Sequence, residues 1–316
     1  MVSKRIIAIT GATGAQGGGL VRAILNDPGS PFDVRAITRK LHSNKAIDLE
    51  LLGADVVEAD FDDLESLKQA FRGVYGVFCV TNYWEHFSPE KEMAQIANMA
   101  TAAKYERVRH VVWSTLEDTR EWVHLNDNRL PTLKGNYKVP HFDAKGESNR
   151  VFTALDVPTT FLMASFYWDN MIYFGMEPQR GQDGKLAITM PMGHRKLPGI
   201  AAEDIGKCAY GIFKQGYRYI GKTVGIAGEH LTGHEMAATL SKVLDVVIQY
   251  NDVPAETYRS LGFPGADDLG NMFQFYRDFN EYFCAIRNVD ESHALNPELM
   301  TFEKWVIKYR DRIPIE

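Results

Sequence analysis

Short continuous runs of apolar, often β-branched residues recur through the first half of the chain, and amphipathic stretches separate them. "RIIAIT" (5–10), "DVRAIT" (33–38), "ADVVEA" (54–59), "YGVFCV" (75–80), "RHVVWS" (109–114) and "PTTFLM" (158–163) are the strand-like runs. Runs without polar alternation belong to strands buried on both faces, and intervening helical patterns supply the crossovers of a parallel sheet. Repeated strand–helix units of this length predict an α/β protein: a doubly wound parallel Rossmann sheet with a smaller, mostly helical C-terminal subdomain. The expected division is a dinucleotide-binding domain over 1–163 and a substrate or partner subdomain over 164–316. "TVGIAG" (223–228) is read as a strand that returns to the first sheet. "DTREWVHLNDNRLPTLKGN" (118–136) lacks any periodicity and reads as a long insertion, either mobile or functional, whose ordering on cofactor binding would make a switch.

Composition narrows the functional classes. The chain has 316 residues, 45% of them hydrophobic and 24% charged, as in ordinary globular proteins. A net charge of −6 argues against direct nucleic-acid binding, so an anionic ligand would need a local cluster of positive groups. Cys79, Cys208 and Cys284 are odd in number and widely spaced, which speaks for reduced, mostly buried thiols rather than a disulfide framework. No apolar run reaches the length of a membrane span, and "MVSKRIIAIT" lacks a long apolar leader. The expected location is the cytoplasm, with the nucleus reached through a partner, and the expected assembly is a monomer or homodimer.

The candidate chemistry begins directly after the first strand. "TGATGAQGG" (10–18) spaces Gly11, Gly14 and Gly17 as G-x-x-G-x-x-G between a strand and a helix. Gly11 permits the tight turn, Gly14 lets backbone approach a pyrophosphate, and Gly17 lets the helix pack against the strand. An NAD site usually places a carboxylate about 20 residues further on. Here "ITRK" offers Thr38, Arg39 and Lys40 instead, and a guanidinium fits a 2′-phosphate through paired, charge-assisted hydrogen bonds. NADP(H) is therefore expected in preference to NAD(H). In "ADFDD" (59–63), Asp60 and Phe61 are placed to contact adenine, while Asp62 and Asp63 suit a helix cap.

"HFDAK" (141–145) stands where short-chain dehydrogenases carry Tyr-x-x-x-Lys, with histidine in the tyrosine's place. His141 and Lys145 fall one turn apart on a single helix face, and Ser114 and Thr115 end the fifth strand, where a hydroxyl would orient a carbonyl. His141 is chemically able to donate a proton, yet a neighbouring lysine disfavours a second positive charge. Tyr137 would lie about 12 Å from Lys145 even on a helix. Tyr210 and Lys214 satisfy the spacing but follow the sixth strand, away from the crevice, and read as a coincidence.

Together, "GATGAQGG", "TNYWE" (81–85), "HFDAK", "DIG" (204–206) and "GFPGADDLGNMFQFY" (262–276) resemble the NmrA-like family, an atypical branch of the extended short-chain dehydrogenases. The resemblance extends over essentially the whole chain. It implies a Rossmann fold that binds NADP(H) or NAD(H), often without catalysis, and that acts as a redox sensor reporting to protein partners, transcription regulators among them. It further implies that Gly11, Thr13, Gly14, Ala15 and Gln16 wrap the pyrophosphate. Thr81, Asn82 and Tyr83 would line the crevice after the fourth strand, and Lys145 would hold the nicotinamide ribose. Phe166, Tyr167 and Asn170 would close over the nicotinamide. Two functions stay open: a non-catalytic NADP(H) sensor with a protein partner, and an NADPH-dependent reductase of the isoflavone-reductase kind acting on a small carbonyl or enone through His141, Lys145 and Ser114.

Overall fold

The computed structural model describes residues 4–181 and 183–315. Six strands alternate with five helices in its first half: β1 (Arg5–Ile9), α1 (Ala15–Leu25), β2 (Phe32–Thr38), α2 (Asn44–Leu51), β3 (Asp55–Glu58), α3 (Leu64–Phe71), β4 (Gly76–Cys79), α4 (Pro89–Tyr105), β5 (His110–Thr115), α5 (Pro140–Ala154) and β6 (Thr159–Met163). The sheet order is β3-β2-β1-β4-β5-β6, and the strand Thr223–Gly225 adds to β6 as a seventh. All these pairings are parallel. β4, β5 and β6 are buried at every position, whereas the edge strand β3 is only half covered. The runs without alternation are thus the central strands, as the pattern requires. The fold class and the returning strand are as expected from the sequence.

Glycine sets how closely the first layer packs. A Cβ on Gly17 would stand 2.4 Å from the Gly11 carbonyl oxygen, so only glycine lets α1 lie on the loop after β1. The helix Ala202–Gln215 crosses α1 equally closely: a Cβ on Gly206 would meet Leu20 N at 2.2 Å, and one on Gly19 would meet Glu203 O at 2.5 Å. This helix and the strand Thr223–Gly225 rejoin the first layer after an excursion of the chain.

The C-terminal region is helical, with one addition to the expected pattern. Two small three-stranded sheets lie within it, one formed by 166–167, 197–200 and 229–231, the other by 179–180, 186–189 and 248–251. Their strands are two to four residues long, too short for any periodicity to show. The helix Ala266–Asp278 packs aromatic side chains into the core shared with Phe142, Phe166 and Trp168.

The segment 118–136 is irregular, as read, but it is tied down rather than loose. Lys138 is fully buried, and its ammonium donates to the carbonyls of Leu125, Asp127 and Leu130 and to Thr132 Oγ1, at 2.7–3.2 Å. A lysine here acts as an internal cation that gathers a loop of carbonyl dipoles. On the other side, Asn271 and Gln274 of the helix Ala266–Asp278 donate to the carbonyls of Pro131, Lys138 and Arg129. Asp143 fastens the loop's two ends, accepting from Thr119 N, Thr119 Oγ1, Lys138 N and Val139 N. Burial still lifts its carboxyl to about 6 against these bonds.

Candidate functional site

The candidate residues gather at the C-terminal ends of the parallel strands β1, β2, β4 and β5. Gly11 holds the left-handed turn after β1, with φ at +57°. Gly14 is the N-cap of α1, and no side chain caps that helix. The first turn contains no acidic residue. The first N–H groups of α1 and its positive end are therefore left for an anion to satisfy.

Arg39 and Lys40 follow β2 and are both exposed. Arg39 is not free. Its Nη1 and Nη2 lie 2.7 and 2.9 Å from the two carboxylate oxygens of Glu85. This hydrogen bonding holds the Glu85 carboxyl below the usual carboxylate range. Asp60 is exposed near Arg39, its Oδ1 accepting from Asp62 N. Phe61 is half-buried and its carbonyl accepts from Asn98. Asp63 caps α3, while Asp62 instead binds Gln95 and Lys91.

At the other end Lys145, Thr81, Ser114 and His141 each already have a protein partner. Lys145 is buried, and its Nζ sits 2.6 Å from Thr81 Oγ1, 3.0 Å from Glu92 Oε1 and 4.9 Å from the centre of the Trp113 ring. Glu92, fully buried on α4, also accepts from Thr81 at 2.5 Å and faces His86 Nε2 at 3.3 Å. Burial alone would push its carboxyl up. The Lys145 charge and the bonds from His86 and Thr81 overcome that and bring it down to about 2. Lys145 is therefore half of a neutral buried pair.

Ser114 is likewise committed: it donates to Gln16 Oε1 at 2.8 Å, while Gln16 Nε2 donates to Tyr167 OH. Gln16 accordingly spans from α1 to β5 and Tyr167. Thr115 serves the packing of α5, bonding Asn149 Oδ1 at 2.8 Å. Phe166 belongs to the core against Phe273, at 6.0 Å between ring centres. Tyr167 and Asn170 are half-exposed, Asn82 is exposed, and Tyr83 is buried against His141.

His141 sits at the second position of α5, below the indole of Trp84, with ring centres 4.7 Å apart. Its Nδ1 lies 2.6 Å from Asp268 Oδ1, and its backbone N donates to Asp268 Oδ2 at 3.2 Å. Facing a carboxylate oxygen, Nδ1 carries the proton. Among the described residues no group is hydrogen-bonded to Nε2. The other candidate tyrosines stand apart. Tyr210 OH donates to Asp27 beyond the far end of α1, with the Lys214 ammonium over its ring, and Tyr137 OH reaches Glu90.

Sequence reasoning missed Glu85, His86, Glu92 and Asp268. A signal existed for two of them. Glu92 shares the stripe of Ile96, Met99, Ala100 and Ala103, all buried, and Asp268 shares that of Met272 and Phe275. A carboxylate on an apolar helical stripe must have a buried partner.

The NmrA-like family matches this chain over residues 3–306. An NmrA-like family domain-containing protein of Dictyostelium discoideum is 27% identical over 97% of this chain and 98% of its own length. An NmrA-like family domain-containing oxidoreductase of Aspergillus hancockii is 29% identical over 86% and 82%. NmrA, a negative transcriptional regulator whose structure was solved in complex with NADP, superposes with a TM-score of 0.78 over 96% of this chain and 95% of its own, at 21% identity. That likeness shows the shared fold.

Proposed function

The chain belongs to the NmrA-like family, and on that premise we propose that it binds a nicotinamide dinucleotide, NADP(H) before NAD(H), and works as a redox sensor through a protein partner. The uncapped N-terminus of α1 and the glycine turn beneath it support binding, and Arg39 supports the 2′-phosphate preference. When bound, the cofactor offers a hydride. The groups that would exploit it are already committed: Ser114 to Gln16, and Lys145 to Glu92 and Thr81. That commitment is the single observation that favours sensing over turnover. Calorimetric titration with NADP⁺, NADPH, NAD⁺ and NADH, beside NADPH oxidation with a carbonyl and enone panel, tests the reading. Tight binding with background oxidation is the expected result; steady turnover abolished by Lys145→Ala would defeat it.

One observation favours a second reading, an NADPH-dependent reductase of a small carbonyl or enone. Asp268 fixes His141 with Nδ1–H donated and Nε2 free of any hydrogen bond among the described residues, so an imidazolium there can give a proton to a substrate oxygen while the substrate carbon takes the hydride. The Aspergillus hancockii relative is called an oxidoreductase. Turnover lost in both His141→Phe and Asp268→Asn would establish it.

A further inference from the structure

The four residues Tyr83–His86 form one short turn after β4, and three successive side chains in it grip three different functional groups. Trp84 covers His141 and leans on Phe174, with ring centres 4.7 and 5.1 Å away. Glu85 holds both nitrogens of the Arg39 fork. His86 faces Glu92, which holds Lys145. In the sheet, β2 and β4 flank β1 on either side. Arg39 follows β2, and Glu85 follows β4. The ion pair therefore bridges the two strand ends on either side of β1, the strand from which the glycine turn rises.

We propose that Glu85 is a specificity-determining residue, an internal stand-in for the 2′-phosphate that holds Arg39 until NADP(H) displaces it. The inference rests on the binding reading above and adds to it. A carboxylate and a phosphate present the same pair of acceptor oxygens to a guanidinium fork, so the two compete for Arg39. A 2′-phosphate also repels a carboxylate left beside it, so Glu85 must turn away as the phosphate docks. NAD(H) carries a hydroxyl at that position and has no charge with which to displace Glu85. Because Trp84 adjoins Glu85 in the same turn, displacement at the adenosine end shifts the ring that covers His141. Cofactor identity is read at one end of the crevice and expressed at the other.

The test is a calorimetric cycle with NADP⁺ and NAD⁺ on the wild type, Glu85→Gln, Arg39→Ala and the double variant. Both pair members are about half exposed, so Glu85→Gln is expected to tighten NADP⁺ by about 1.4- to fivefold, the scale of such a pair, with NAD⁺ unchanged. In the Arg39→Ala background the Glu85 substitution should have no effect. Unchanged NADP⁺ affinity in Glu85→Gln, or an equal gain when Arg39 is absent, overturns the inference. Equal NADP⁺ affinity in wild type and Arg39→Ala instead overturns the 2′-phosphate reading, and binding of neither dinucleotide overturns both. Tryptophan emission supplies a second readout. NADP⁺ should change a component that Trp84→Phe removes, and NAD⁺ should leave that component untouched; an identical response to both dinucleotides refutes the coupling.

Discussion

The two ends of the crevice are built on different principles. The glycine-turn end consists of backbone: a left-handed turn, an uncapped helix terminus, and side chains that come from one short stretch. The other end consists of side-chain pairs whose members come from distant parts of the chain, Lys145 with Glu92 and Thr81, His141 with Asp268, Ser114 with Gln16. Backbone sites stay ready for a ligand because their donors have no better partner. Paired sites hold their shape without a ligand, and any ligand must outbid the existing partner. A single fold thus joins a receptive half to a self-satisfied one.

The contrast is broken most severely by removing one member of a buried pair. Glu92→Leu strands the Lys145 charge and should cost about 3–5 kcal/mol in denaturant unfolding, with Lys145→Met in the same chain recovering part of it. The same pair gives an acid limb to stability. Because the folded-state pKa of Glu92 is lowered from 4.5 to about 2, its stabilisation is complete above 4.5 and disappears as pH falls toward 2. Glu92→Gln should flatten that limb in unfolding measured across pH. In the backbone half, Gly17→Ala forces a Cβ against the Gly11 carbonyl. It should cost about 1–3 kcal/mol and weaken NADP⁺ and NAD⁺ together by calorimetry. Lys138→Met leaves buried carbonyls unpaired at roughly 1–3 kcal/mol, and faster proteolytic cutting within 124–134, with or without NADPH, would reveal it. Smallest is Asp63→Ala, a local cap worth about 1 kcal/mol, which should lower the melting temperature without touching either half's ligand affinity.

Legibility in the sequence follows the same division. The strands β1–β6, the glycine turn, Arg39, and the pairing of His141 with Lys145 on one helix face are all local patterns, and each could be read in place. What was hidden depends on long separations: 127 residues between His141 and Asp268, 46 between Arg39 and Glu85. A motif names a residue without naming its partner. Arg39 was legible as a positive group, but only the fold shows which carboxylate already holds it. The segment 118–136 was similarly readable as irregular, while its fastening by Lys138 emerges only when four acceptors converge on one ammonium.

The returning strand Thr223–Gly225 also bears on how the chain folds. It pairs with β6 only after the intervening segment has been made, and Gly225 in turn bridges to Arg287, whose guanidinium grips Glu117 after β5. β1 to β6 can assemble from neighbouring units as they are synthesised, but the last strand has to wait for sequence far downstream. Closure of so long a loop is slow relative to local pairing. Until Thr223–Gly225 arrives, β6 presents an unpaired edge, so the nascent chain passes through a stage in which aggregation competes with completion of the sheet.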